Sequence, residues 1–326
     1  MRVLVTGAAG FIGSHYVRTL CSGGYAGYED ADVVVLDKLT YAGNLANLAP
    51  VEGRFRFVHG DIADAGQLAD LLPGVDVVVN FAAETHVDRS IRGGADFVMT
   101  NVVGSQTLFE ACLSAGVGRV LHVSTDEVYG SIPEPDSFVE TDRLDPNSPY
   151  SAAKAGGDLL ARAYAVTHGL NVTVTRCSNN YGPYHFPEKV IPLFVTNLLD
   201  GLKVPLYGDG LNVRDWLHVD DHCRGIQIAL ETGAPGEYYN IGGGTELTNK
   251  QLTQMLLDAT GRDWSFVQPV EDRKGHDRRY SIDGSKLAAL GYWPQIPFEE
   301  GLASTVQWYR DNEDWWRPLK EKASLK

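Results

Sequence analysis

Six short apolar, β-branched runs recur between residues 3 and 176: VLVT at 3–6, DVVVLD at 32–37, FRFVHGD at 55–61, DVVVNFAA at 76–83, RVLHVST at 119–125 and NVTVTR at 171–176. Their apolar residues are largely consecutive, not alternating with polar ones, which describes strands buried on both faces. Segments of helical period separate them at 13–22, 64–72, 97–115 and 151–168. Buried strands alternating with helices form a parallel sheet covered on either side. The pattern therefore predicts an α/β fold with a doubly wound parallel sheet. After Arg176 the texture changes to NNYGPYHFPEKVIP, rich in Pro, Asn and aromatics, and a second, smaller domain is expected there. The charged C-terminal KEKASLK is expected to fray.

A chain of 326 residues with 44% hydrophobic content can bury a large core. Its 28 basic and 42 acidic residues leave a net charge of −14, which argues against nucleic acid as a partner, because phosphate neutralisation needs clustered Lys and Arg. Cys21, Cys112, Cys177 and Cys223 form no CxxC pair, so neither a zinc site nor a disulfide framework is indicated and no metal is expected. The start MRVLVTG has no signal-type segment, and no stretch approaches about 18 uninterrupted apolar residues. A cytoplasmic protein without a membrane partner is the expectation.

The first strand leads into TGAAGFIG, whose Gly7, Gly10 and Gly13 suit a tight turn opening onto a helix N-terminus, a geometry that cradles a pyrophosphate. A glycine triplet alone is equally an ordinary strand-to-helix turn. Its context adds Asp37, which ends the second strand and can accept hydrogen bonds from ribose hydroxyls while repelling a 2′-phosphate. NAD is favoured over NADP, although the adjacent Lys38 would attract that phosphate. Asp61, at the next strand end, suits an adenine edge.

Two further constellations carry chemistry. In YSAAK, Tyr150 and Lys154 stand one above the other on a helix face, and an ammonium beside a phenol lowers its pKa. In STDEVYG, at 124–130, the adjacent carboxyls Asp126 and Glu127 follow Thr125 at the mouth of a buried strand. Such a pair is either a solvated strand end or an acid and a base whose environments separate their pKa values.

These residues resemble the extended short-chain dehydrogenase/reductase family. The stretches TYAGN (40–44), AAETHVDRSI (82–91), STDEVYG, SPYSAAKAGGD (148–158), TRCSNNYGPYHFPEKVIP (175–192), YGDGLNVRDWLHVDD (207–221) and DRKGHDRRYSID (272–283) are similar to dTDP-glucose 4,6-dehydratases in particular. The resemblance implies a Rossmann-type NAD-binding domain over 1–177, with a return of the chain near 214–240, and a mainly substrate-binding domain over 178–326. It implies dehydration of dTDP-glucose to a 4-keto-6-deoxy sugar, with Thr125, Asp126, Glu127, Tyr150 and Lys154 catalytic. Asp126 would be the acid, Glu127 the base at C5, Thr125 the partner of the C4 oxygen and Tyr150 the group that takes the C4 hydroxyl proton.

By the same resemblance the coenzyme would contact Gly7, Gly10, Phe11, Ile12, Gly13, Asp37, Lys38, Thr40, Asp61, Ile62, Ala82, Ala83, Thr100, Tyr150, Lys154 and Cys177. Read singly, Cys177 is better explained as a small buried hydrophobe. The sugar nucleotide would contact Glu84, His86, Thr125, Asn179, Lys189, Val190, Pro205, Tyr207, Arg214, Asn249, Arg273, His276 and Tyr280. Singly, the Arg and Lys residues read as solvated charges, Asn249 as a helix cap, and His86 and His276 equally as structural histidines.

Against the family pattern the chain departs at Thr85, Ala153, His185, His218 and Lys274, of which His185 and Lys274 are expected to face the sugar nucleotide. Apolar residues Val102, Leu108, Leu159 and Tyr164 resemble the family's dimer-forming helix pair, and packing on their own sheet explains them as well. Tyr16, Tyr25, Tyr28, Trp315 and Trp316 are assigned to packing. Two other readings stand beside the dehydratase: a 4-epimerase or decarboxylase, which has no use for adjacent Asp and Glu, and a noncatalytic NAD-binding subunit, which has no use for Thr125, Tyr150 and Lys154.

Overall fold

The computed structural model describes residues Met1–Ser324. Strands are β1 (Arg2–Thr6), β2 (Asp32–Asp37), β3 (Arg56–His59), β4 (Val77–Asn80), β5 (Arg119–Thr125), β6 (Val172–Cys177), β7 (Asn179–Tyr181), β8 (Val204–Tyr207), β9 (Val213–His218), β10 (Tyr238–Ile241), β11 (Glu246–Thr248) and β12 (Val267–Val270). Helices are α1 (Phe11–Cys21), α2 (Ala65–Leu71), α3 (Val87–Arg92), α4 (Ala95–Val98), α5 (Ser105–Ala115), α6 (Pro149–His168), α7 (Val190–Leu199), α8 (Val219–Thr232), α9 (Asn249–Thr260), α10 (Ser285–Ala288), α11 (Phe298–Asp311) and α12 (Glu313–Ser324).

Seven strands form one sheet in the order β10-β6-β5-β4-β1-β2-β3, every pair parallel. The order reverses between β1 and β4, and the crevice at the carboxyl ends of strands flanking such a reversal is where open α/β sheets bind ligands. One face is covered by α1 and α8, with Tyr16, Val17, Leu20, Cys223 and Ile226 buried against Val3, Val5 and Val79. Helices α2, α5 and α6 cover the other, with Leu68, Leu108, Phe109 and Ala161 against Leu4, Val78 and Val120. A third core joins α7, α9, α11 and α12 around Phe194, Leu256, Tyr309 and Trp316.

The expected chain return is shifted. Residues Val213–His218 belong to a separate three-stranded sheet, β11-β9-β7, and the main sheet is rejoined through α8 and β10, with Leu287 of α10 packed into the same core. The third and fourth apolar runs are strand only over Arg56–His59 and Val77–Asn80, so Ala82 and Ala83 lie in the loop beyond β4. The helix expected at 97–115 starts at Ala95 and widens into a π turn at Met99–Gly104 before α5. Gly104 packs there against Ile62, with no room for a Cβ. Of KEKASLK, Lys320–Ser324 are the last residues of α12, and Leu325 and Lys326 lie outside the described residues. Among the described residues no helix is long and apolar enough to cross a membrane.

Candidate active site

One continuous cleft runs across the carboxyl ends of β1, β2, β4, β5 and β6. Its first wall is the loop after β1. Gly7 has φ +64°, and a Cβ there would lie 2.5 Å from the Ala82 nitrogen; at Gly13 it would lie 2.4 Å from the Gly7 carbonyl. Only glycine permits both the left-handed turn and this approach of helix to loop. At Gly10 a Cβ would meet nothing within 4 Å but the Gly7 oxygen. No side chain caps α1, so its first N–H groups are left for an anion at the lip of the cleft. These residues fit a dinucleotide pyrophosphate.

Asp37 is 8% exposed, and its carboxylate accepts from the Ala9 N–H at 2.8 Å and the Leu39 N–H at 2.7 Å. Burial pushes its pKa up while those two amides pull it down. Each oxygen keeps a lone pair for a ribose hydroxyl. Lys38 Nζ is 2.7 Å from Asp61 Oδ2, so the cation that would have favoured a 2′-phosphate is already paired.

At the other end, α6 is started by a capping box between Ser148 and Ser151 with Pro149 at its first turn, which fixes where Tyr150 enters the cleft. Lys154 follows one turn later, 4% exposed, and its Nζ donates to the Val123 carbonyl at 2.7 Å. The expected lowering of the phenol pKa is not what the structure gives. Burial, then the Glu127 carboxylate, hold Tyr150 well above the ordinary phenol range, and burial holds Lys154 below the ordinary amine range. Desolvation outweighs the helix-face pairing from which the lowering was reasoned.

The strand β5 ends at Thr125, whose Oγ1 accepts from the Glu127 N–H at 3.3 Å and donates to Asp126 Oδ1 at 3.2 Å. Asp126 and Glu127 open a short 3-10 turn, Asp126–Tyr129. Asp126 is 3% exposed with Oδ2 unpartnered. Burial, then Glu127 and Asp215, push its pKa well above the carboxylate range. Glu127 is raised by burial too, but Arg273, Arg214 and Lys189 all oppose the shift. Both carboxyls are thus raised by burial, with three cations opposing the shift at Glu127 and Arg214 opposing it at Asp126.

All residues expected at the coenzyme line this cleft, as do Glu84, Thr125, Asn179 and Lys189 from the sugar-nucleotide set. Cys177 does both things considered for it, lining the cleft and packing in the core. Arg214, Arg273 and Tyr280 lie outside the lining but act electrostatically on Glu127 or feel its charge. Tyr207 and Arg273 both meet Asp88, and His276 bonds Asp272 at 2.6 Å. Val190 begins α7 and Pro205 lies in β8. Asn249 is not a cap, since Thr248 caps α9 with Gln251. His86 stands at φ 93° before α3, its Nε2 3.9 Å from Glu188, its pKa pushed down to about 3 by burial and then Lys189.

Two departures resolve differently from expectation. His185 stacks on Phe11 of the glycine loop at 4.1 Å and 10°, facing the coenzyme cradle, and Lys274 is exposed and not among the lining residues. Thr85, Phe186 and Glu188 line the cleft without having been selected. Thr85 Oγ1 accepts from Lys189 Nζ at 3.2 Å and its carbonyl from the Tyr41 hydroxyl at 2.9 Å. Their signal was membership of the stretches AAETHVDRSI and TRCSNNYGPYHFPEKVIP.

The GDP-mannose 4,6 dehydratase family model matches residues 4–305. The chain belongs to that family. Among relatives, this dehydratase-family chain is 62% identical over 324 residues to a dTDP-glucose 4,6-dehydratase of Streptomyces antibioticus, covering 99% of this chain and 96% of the relative. It superposes on the crystal structure of the dTDP-glucose 4,6-dehydratase DesIV from Streptomyces venezuelae, solved with NAD and dTDP bound, with a TM-score of 0.96 at 64% identity, covering 98% and 100% of the two chains. A UDP-glucose 4-epimerase of Thermus thermophilus solved with NAD shares the fold at a TM-score of 0.88 and 33% identity over 96% of this chain and all of that one. The backbone therefore suits both reactions, and side chains must choose between them.

Proposed function

We propose that the chain is an NAD-dependent dTDP-glucose 4,6-dehydratase, a hydro-lyase of deoxysugar biosynthesis that forms dTDP-4-keto-6-deoxyglucose. The observation that carries this reading is a single cleft with a dinucleotide cradle at one end and, at the other, the adjacent carboxyls Asp126 and Glu127, with Asp126 3% exposed. Epimerisation at C4 needs no proton transfer at C5 or C6, so it gives Asp126 and Glu127 no task. In this division of labour the elements around the main sheet hold the coenzyme, and those around α7, α9 and the small sheets hold the nucleotide.

NAD, when bound along the cradle, supplies the hydride acceptor for C4 and returns that hydride at C6. Tyr150, once the cationic nicotinamide of bound NAD and the Lys154 ammonium lower its pKa, takes the C4 hydroxyl proton as the phenolate, with Thr125 hydrogen-bonded to the same oxygen. Lys154, with one donor on Val123, has two left to stabilise negative charge near the phenol. Glu127 takes the C5 proton, made acidic by the neighbouring ketone, and C5 is reprotonated as the hydride reaches C6 of the enone left by water loss. Asp126 protonates the departing C6 hydroxyl. Purified protein should release NAD and not NADP on denaturation, and with dTDP-glucose should form a product whose 4-keto chromophore appears in alkali. Release of NADP, or no chromophore, would overturn the assignment.

We also propose a homodimer. Leu108 and Tyr164 are buried on their own sheet, but Val98, Met99 and Val103 along α4 and the π turn, with Leu159 and Val166 on α6, are 37–73% exposed. A second copy is the occupant that pairs these two helical faces symmetrically. Light scattering should give twice the chain mass, and a dilution-insensitive monomer would refute it.

A further inference from the structure

Two elements must keep their relative position to within about 0.5 Å for the proposed chemistry. One is the turn Asp126–Tyr129 with the acid and the base, and the other is the start of α6 with Tyr150 and Lys154. Asp158 lies one turn beyond Lys154, so Tyr150, Lys154 and Asp158 form one stripe at i, i+4 and i+8. Arg176 on β6 joins the stripe to the turn. Its Nε donates to Asp158 Oδ2 at 2.9 Å, and its Nη1 donates to the Tyr129 hydroxyl at 2.8 Å. That hydroxyl donates in turn to Asn240 Oδ1 at 2.9 Å. The guanidinium also sits 4.0 Å from the Tyr238 ring centroid.

Asp158, Arg176, Tyr129 and Asn240 are each at most 1% exposed, and none lines the cleft. A buried ion pair gives little net stability over well-packed apolar groups of the same volume. What this one provides is a fixed geometry across three elements. On the dehydratase reading, we propose that Tyr129 and Arg176 are positioning residues that bolt the acid–base turn to the phenol-bearing helix. Elimination needs the turn in place and C4 oxidation needs mainly the helix, so loosening the bolt slows water loss selectively.

Tyr129→Phe removes only the hydroxyl and keeps the ring stacked on Phe138, 5.0 Å away at 14°. In single-turnover mixing with dTDP-glucose, the first appearance of enzyme-bound NADH should keep its wild-type rate. NADH decay and product formation should slow at least about fivefold and up to about 10²-fold, the range a small misplacement produces. Arg176→Lys, which leaves Asp158 a cation but cannot fork to Tyr129, should shift the same partition while remaining folded by circular dichroism. Failure of the wild-type protein to dehydrate dTDP-glucose would sink the parent reading. Wild-type turnover with an unchanged NADH partition in both variants, or equal loss of both steps, would overturn the bolt.

Discussion

Tyr150→Phe should abolish reduction of bound NAD by dTDP-glucose while leaving the protein folded and the coenzyme in place. The ring packs edge-on to Phe97 with centroids 6.3 Å apart, and a phenylalanine preserves that contact. The lost hydroxyl strands no partner, because Thr85 Oγ1 keeps the Lys189 ammonium at 3.2 Å. What disappears is the group that takes the C4 proton, and acid–base catalysis of this kind contributes on the order of 10² to 10⁴ in rate. The check is the absorbance of enzyme-bound NADH in a rapid-mixing experiment. Turnover within a few fold of wild type would show that another group removes this proton.

Asp126→Asn and Glu127→Gln should both stall the reaction after C4 oxidation, with bound NADH accumulating. They should differ at C5. In heavy water, Asp126→Asn retains the base and should still exchange the C5 hydrogen for deuterium, while Glu127→Gln should lose that exchange. An amide at 126 can hold the C6 hydroxyl but not protonate it, so water loss should slow by about 10² to 10⁴. The pKa directions add a pH test. Asp126 is raised well above its ordinary value, so elimination should weaken as pH rises through that raised pKa. That alkaline limb should be missing in Asp126→Asn. Equal exchange in both variants would refute the assignment of acid and base, and near-normal rates in both would leave the pair a mere strand end.

Much of this molecule was legible in its residues because some signals are local. Short β-branched apolar runs set between turn residues point to strands covered on both faces, and the glycine spacing of TGAAGFIG follows from a turn that Gly7 and Gly13 alone can make. The capping Ser148 and Pro149 set the start of α6, and hence the entry of Tyr150, within a few residues of sequence. Other features were out of reach because they depend on distant partners. In the π turn Met99–Gly104, Gly104 lies against Ile62 from far up the chain, and the positive-φ backbone at His86 stands just before α3 at the edge of the cleft.

By itself, then, the sequence determined the parallel α/β layering, the coenzyme cradle and the identity of the groups available for proton transfer, since each follows from local periodicity or from a short motif. Only the tertiary structure decided what those groups can do. It paired Lys38 with Asp61, turned His185 toward Phe11, and placed Arg273, Arg214 and Lys189 where they act on Glu127 and leave Asp126 the more strongly raised carboxyl. The reason is that a carboxyl's proton affinity is set by burial and by charges brought close from far along the chain, and neither is written in the residues beside it.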